Sequence, residues 1–274
     1  PKGLAFHGDH LYVAEAHQIV RFRYEPGTFS AAEEPEVVVP DLPVGSGFLT
    51  HAIGFGPDDK LYVAIGASCN ACKEVDPRRA TIMRFNADGS EGAIYAQGLR
   101  DVEGFAWYPG TQQLLATNCN RRRMGDDQPP DAIEAVFQDA NFGWPYCHAG
   151  TIPDPELGSP EACQGIPRAF VELPAHTTPG ALLVYTGEQF PQDYYGDILV
   201  ASMGSWERKY PIGYKIIRIH LANGQVDRVE DFASGWLVHQ QAWGRPVGLI
   251  QAPDGSLLVS DDRANAVFRI YYGG

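Results

Sequence analysis

Ile53-Gly54-Phe55, Leu61-Tyr62-Val63-Ala64 and Ile82-Met83-Arg84-Phe85 are three short apolar runs, and Pro57-Asp58-Asp59 separates the first two. Asp and Pro in that position supply a tight reversal, so the first two runs read as neighbouring antiparallel strands. The pattern recurs along the chain. Gly3-Leu4-Ala5-Phe6 precedes Leu11-Tyr12-Val13-Ala14, and Gly104-Phe105-Ala106-Trp107 precedes Leu114-Leu115-Ala116-Thr117. Ala181 to Tyr185 precedes Ile198 to Ala201, and Val247 to Ile250 precedes Leu257 to Ser260. A third run follows each pair: Ile19-Val20-Arg21-Phe22, Ile82 to Phe85, Ile133-Glu134-Ala135-Val136, Ile216 to Ile219 and Val267 to Ile270. Five copies of a short-stranded unit spell an all-β protein, a β-propeller of four-stranded blades. Chemistry is then expected in the loops, on one face around the central channel.

Other signals agree. Ala87-Asp88-Gly89, Asn223-Gly224 and Pro253-Asp254-Gly255 mark further reversals. The stretches 60–65 and 257–260 are almost continuously apolar, as strands covered on both faces must be. The repeat runs from end to end, so residues 1–274 are expected to form a single domain. The chain opens on a first strand and stops after a third, and no charged-then-apolar leader begins it.

Three connections exceed a simple turn. Residues 25–49 contain a strand candidate, Val37-Val38-Val39. Residues 119–179 are rich in Pro, Gly, Asp and Cys, and Pro129-Pro130-Asp131 resembles a helix start, so a short helix is expected over 131–137. Residues 202–213 carry Trp206, Glu207, Arg208 and Lys209. Long loops in compact domains are commonly functional, and the aromatic and cysteine content here points to order.

The formal charge of −13 argues against nucleic acid, and no apolar run is long enough to span a bilayer as a helix. One basic island, Arg121-Arg122-Arg123, reads either as a solvated loop or as an anion site. Of five cysteines, Cys69 with Cys72 and Cys147 with Cys163 could form local disulfides, which would place the chain in an oxidising compartment, periplasmic or extracellular. A zinc site would need four ligands from separate loops. Cys119 is left over, as a buried apolar residue or an open thiol.

From Ile53 onward the chain resembles the glucose/sorbosone dehydrogenase family, especially its sorbosone-dehydrogenase-like branch. The resemblance rests on an ordered set: Gly54-Phe-Gly-Pro-Asp-Asp-Lys-Leu-Tyr-Val, Cys69-Asn-Ala-Cys, Gly98-Leu-Arg-Asp-Val-Glu-Gly-Phe, Gly125-Asp-Asp-Gln-Pro-Pro-Asp, Phe142-Gly-Trp-Pro-Tyr-Cys, Gly204-Ser-Trp-Glu-Arg and Trp243-Gly-Arg-Pro-Val. It implies a six-bladed propeller whose first blade is incomplete in this chain. It also implies pyrroloquinoline quinone (PQQ) with calcium, oxidation of a sugar, aldose or related aldehyde, and a redox-protein electron acceptor.

By this resemblance Arg100, Arg121, Arg208 and Arg245 are candidate cofactor residues, since a tricarboxylate needs cations, and Asp101 stands with them as a carboxylate that is unfavourable there unless it binds metal or is protonated. Asp126, Asp127 and Asp131 are candidate calcium ligands. The alternative for these carboxylates is a turn with Asp131 as a helix cap. The catalytic base of the family falls seven positions before Phe55, where this chain has Phe48; His51 is the nearest histidine and the candidate substitute. Further departures cluster nearby: Asp101 replaces Asn, Asn118-Cys119-Asn120-Arg121 replaces Asp-Asn-Gly-Arg, and Ala132 replaces Glu. They support a competing expectation, a catalytically silent propeller acting as a binding or assembly subunit. A metal-dependent lactone hydrolase is a third reading, but the Glu and Asn ligands it needs do not assemble.

Overall fold

A computed structural model describes residues 3–28, 31, 33–49, 51–205 and 207–273. Trp206, named above, lies outside them. The described residues hold five blade sheets, one per repeat, and the only helix among them is a 3-10 turn, Gln192–Tyr194. The protein is all-β, a β-propeller with five blades among the described residues. The chain groups into two compact units, Pro1–Glu103 with Val136–Arg168, and Gly104–Ala135 with Ala169–Gly274.

The first unit carries two blades. One runs in order through Leu4–His7, His10–Ala14, Ile19–Arg23 and Glu36–Val39, the last being the strand expected around Val37 to Val39. The other runs through Ile53–Phe55, Leu61–Ile65, Thr81–Phe85 and Ala93–Gln97, and Ala140–Asn141 adds a fifth, parallel strand. Tyr12, Ile19, Val39, Leu61, Val63, Ile65 and Met83 form one buried cluster between these sheets. Leu61–Ile65 is buried at every position, which explains its apolar run. The unit also holds the two cross-links, Cys69–Cys72 and Cys147–Cys163.

The second unit carries three blades. Phe105–Trp107, Leu114–Asn118, Asp131–Val136 and Val171–Leu173 make the first. Pro179–Val184, Ile198–Ser202, Lys215–Ala222 and Gln225–Ala233 make the second, and Pro246–Gln251, Leu257–Asp261 and Ala266–Ile270 make the third. Two cores hold them: one around Leu115, Ile133, Leu182 and Ile219, the other around Tyr185, Leu199, Ile216, Trp236 and Val259. The Tyr185 hydroxyl ties blades together by donating to Gly255 O at 2.9 Å. Cys119 is buried and points its Sγ at Pro179 O, 3.6 Å away.

The expected helix at 131–137 is absent; Asp131–Val136 is a strand. The Asp131 carboxylate does not cap a helix. It accepts the backbone N–H of Asn120 at 2.9 Å and that of Thr178 at 2.9 Å, both far away in sequence. Pairing of Asp131 to Ile133 with Val171–Leu173 then completes the blade edge.

Candidate functional site

His51 follows the second blade's entry loop and is 1% exposed. Its Nδ1 lies 3.0 Å from Ala64 O and its Nε2 3.3 Å from Ala16 O. A carbonyl only accepts, so both ring nitrogens are turned to the fold. Burial pushes the imidazole pKa down. His51 thus faces Ala64 in the strand Leu61–Ile65 and Ala16 in the turn between His10–Ala14 and Ile19–Arg23, and presents neither nitrogen to a substrate.

Arg100 and Asp101 end the connection from the second blade, and both are 2% exposed. The guanidinium of Arg100 donates from Nε to Asn70 O and from Nη2 to Asn70 Oδ1, each at 3.0 Å. It stacks on the Phe48 ring with its central carbon 4.7 Å from the centroid. Phe48 therefore packs under a cation in this structure. Asp101 Oδ1 sits against Gly66, where an added Cβ would come within 3.3 Å. A cavity of about 650 Å³ also belongs to this unit, lined by His17, Asp41, Ser68, Cys72, Glu74 and Arg78 among others. None of the expected site residues lines it.

In the second unit, the acidic loop meets the long loop after Ile198–Ser202. Arg208 donates to Asp126 O and, from Nη2, to Asp127 Oδ1 at 3.0 Å. The backbone N–H of Lys209 donates to Asp126 Oδ2 at 3.1 Å. The three candidate calcium ligands do not converge. Asp131 is wholly buried with both oxygens on backbone N–H groups, and burial raises its pKa. Asp126 holds Lys209, while Asp127 is exposed and pairs with Arg208. Among the described residues, the sole cluster with metal-ligand spacing is Cys69, Cys72 and Glu74, and those cysteines are bonded to each other. The donor set around 126–131 does not fit a calcium ion.

Arg121 is 5% exposed, at the end of the blade strand Leu114–Asn118. Arg245 does not join the acidic loop: its Nε donates to Asp262 Oδ1 at 2.7 Å, and that bond raises the guanidinium pKa. Its backbone N–H donates to Asp261 Oδ2 at 2.8 Å.

A cleft of about 320 Å³ opens where these loops meet, lined by Arg123, Gly125, Asp126, His176 and Glu207. His176 is 2% exposed and sits at φ 65°. Its Nε2 is 2.8 Å from Gly125 O. That oxygen can only accept, so Nε2 carries the hydrogen and Nδ1 carries the lone pair in the neutral ring. Nδ1 is buried and has no hydrogen-bond partner among the described residues. The same holds for Glu207 Oε2 and Arg208 Nε. Arg123 Nε is 3.7 Å from Glu207 Oε1. Two of these residues, His176 and Glu207, line the cleft, whereas Arg208 lies outside its lining. The lining offers the Arg123 guanidinium to donate and the imidazole and two carboxylates to accept, which fits a polyol. An arginine run beside them suits a polycarboxylate such as the quinone.

His176 was not named by sequence reasoning, and Glu207 only as part of the long loop 202–213. The partner of His176 is Gly125, 51 residues away. The only local signal is a histidine flanked by Pro174 and Pro179 in a blade-entry loop.

Comparison with known proteins adds the following. A family model described as Glucose / Sorbosone dehydrogenase matches residues 13–270. An uncharacterized protein of Borreliella burgdorferi is 32% identical over 222 residues, which are 78% of this chain and 58% of that protein. The chain thus spans less than two thirds of that relative. A Trichoderma reesei enzyme of carbohydrate-active family AA12 is similar in structure, with TM-score 0.81 and 18% identity, covering 97% of this chain and 79% of that one. The PQQ domain of a pyranose dehydrogenase from Coprinopsis cinerea, in its holo form, gives TM-score 0.80 and 19% identity over 98% and 81%. At these identities the structural likeness establishes the fold.

Proposed function

Because the chain belongs to the glucose/sorbosone dehydrogenase family, we propose that it oxidises a sugar, aldose or related aldehyde with PQQ as its cofactor. The observation that carries this reading is the cleft at His176, lined by Arg123, Asp126 and Glu207 as well. When bound, the quinone supplies a two-electron acceptor. The rest falls to the chain. Arg123 and Arg208 offer N–H groups to carboxylates, with Arg121 of the same unit adding positive charge. Asp126 and Asp127 hold Arg208 in place rather than holding calcium. His176 is the proposed acceptor of the substrate hydroxyl proton: with its Nε2–H committed to Gly125 O, the buried Nδ1 is the atom that a turn of the ring would bring to the cleft. Glu207 accepts a hydrogen bond from a second hydroxyl. A small redox protein is the proposed electron acceptor. The two disulfides favour a periplasmic or extracellular setting; no helix among the described residues is long and apolar enough to cross a membrane.

A second reading, a silent propeller that binds without turnover, is favoured by Phe48 under Arg100 and by the enclosure of His51. Dye-linked oxidation of several aldoses, with quinone added, separates the two. His176→Asn is expected to lower kcat by about 100-fold or more while quinone affinity holds. Full activity in that variant, together with loss in His51→Ala, would return the proton acceptor to His51. Quinone uptake with no turnover of any sugar or aldehyde would favour the silent reading.

A further inference from the structure

We infer that Asn70, held by the Cys69–Cys72 disulfide, is the positioning residue for Arg100, and that opening this disulfide releases the guanidinium. Asn70 lies inside the bridged segment and offers Arg100 two acceptors. Its backbone O takes Nε and its Oδ1 takes Nη2, both at 3.0 Å. Two parallel bonds from one residue orient the planar fork of an arginine. The same backbone O accepts the indole N–H of Trp144 at 3.2 Å, which pins the carbonyl from a second side.

The bridge and one carboxylate hold the segment in place. Cys69 and Cys72 are joined across a separation of three residues. On the N-terminal side, Glu74 accepts the backbone N–H and the hydroxyl of Ser68, each at 2.7 Å. Phe48, Cys69 and Cys72 pack around Ala67, Ala80 and Trp144. Arg100 is thus held by Asn70 within a bridged loop, alongside its stack on the Phe48 ring. Both cysteines are half-buried, and Cys72 borders the cavity of about 650 Å³, which gives a small reductant access.

Opening the bridge needs a dithiol reductant. Its two thiols pass two electrons and two protons to the Cys69–Cys72 bond, yielding two cysteine thiols and the oxidised, cyclic reductant. Asn70 then gains backbone freedom and Arg100 loses its paired acceptors.

The test labels arginines with p-hydroxyphenylglyoxal and reads Arg100 by peptide mass spectrometry. Differential alkylation of the same samples reports which disulfide is open. Arg100 is expected to react roughly tenfold faster in dithiothreitol-reduced chain than in oxidised chain, the scale of a lost charge-assisted hydrogen bond. Asn70→Ala, with both disulfides intact, is expected to match the reduced sample, and Asn70→Asp, which keeps the acceptor, to match the oxidised one. Unchanged Arg100 labelling with Cys69–Cys72 open overturns the inference, whether or not quinone binds. If Asn70→Ala fails to fold, reduction of the unsubstituted chain still decides it. Faster labelling with no quinone uptake in any sample upholds the positioning role and counts against the cofactor reading instead.

Discussion

Glu134 shows how one buried group shapes behaviour across the neutral pH range. It is 1% exposed on the strand Asp131–Val136, and Asn118 Nδ2 donates to its Oε1 at 3.1 Å. Its Oε2 and the Oδ1 of Asn118 have no hydrogen-bond partner among the described residues. Burial pushes the carboxyl from 4.5 up to about 7. The folded chain therefore keeps this proton over a window in which the unfolded chain has released it. Stability should fall as pH rises from about 4.5 to about 7 and level off above, a loss of about 3 kcal/mol if nothing relaxes. Glu134→Gln should abolish this slope and raise the melting temperature at pH 8 while changing little at pH 4; denaturant melts across that range would show it. An unaltered slope in the variant would place the pH dependence elsewhere.

At the scale of elements, the repeat was readable because each blade pairs apolar runs around Asp- and Gly-rich turns, as in Ile53–Phe55 and Leu61–Ile65. The strand at 131 was readable by its place in the repeat, from Ile133-Glu-Ala-Val, and misread by its local chemistry, from Pro-Pro-Asp. The local signal failed because the Asp131 carboxylate has partners 11 and 47 residues away, which no local pattern reveals. His51 was hidden in the same way, since its ring bridges Ala16 and Ala64. The cleft at His176 depends on three loops, 123–126, 176 and 207–208, that meet only on folding. Asp131→Asn should destabilise the chain by about 1–3 kcal/mol, because an amide nitrogen would face one of the two backbone N–H donors. The disulfide Cys147–Cys163 closes a separation of 16 residues beside the two-stranded sheet Cys147–His148 and Ile152–Pro153. Removing it by a double Cys→Ser change should cost about 3 kcal/mol in the same melts.

For the whole molecule, a formal charge of −13 sets the condition on any polyanionic ligand. It must find a local concentration of cations, and Arg121-Arg122-Arg123 is the one basic run in the sequence. Membership of the glucose/sorbosone dehydrogenase family makes the quinone the ligand to try first. The departures at Phe48 and Asp101 fall between strands and leave the blade scaffold untouched. The most direct measurement is a calorimetric titration of the purified, oxidised chain with PQQ. The account predicts saturable uptake of one quinone per chain, accompanied by a rise in melting temperature. A chain that melts cooperatively, yet takes up no quinone and shows no thermal shift, would contradict it.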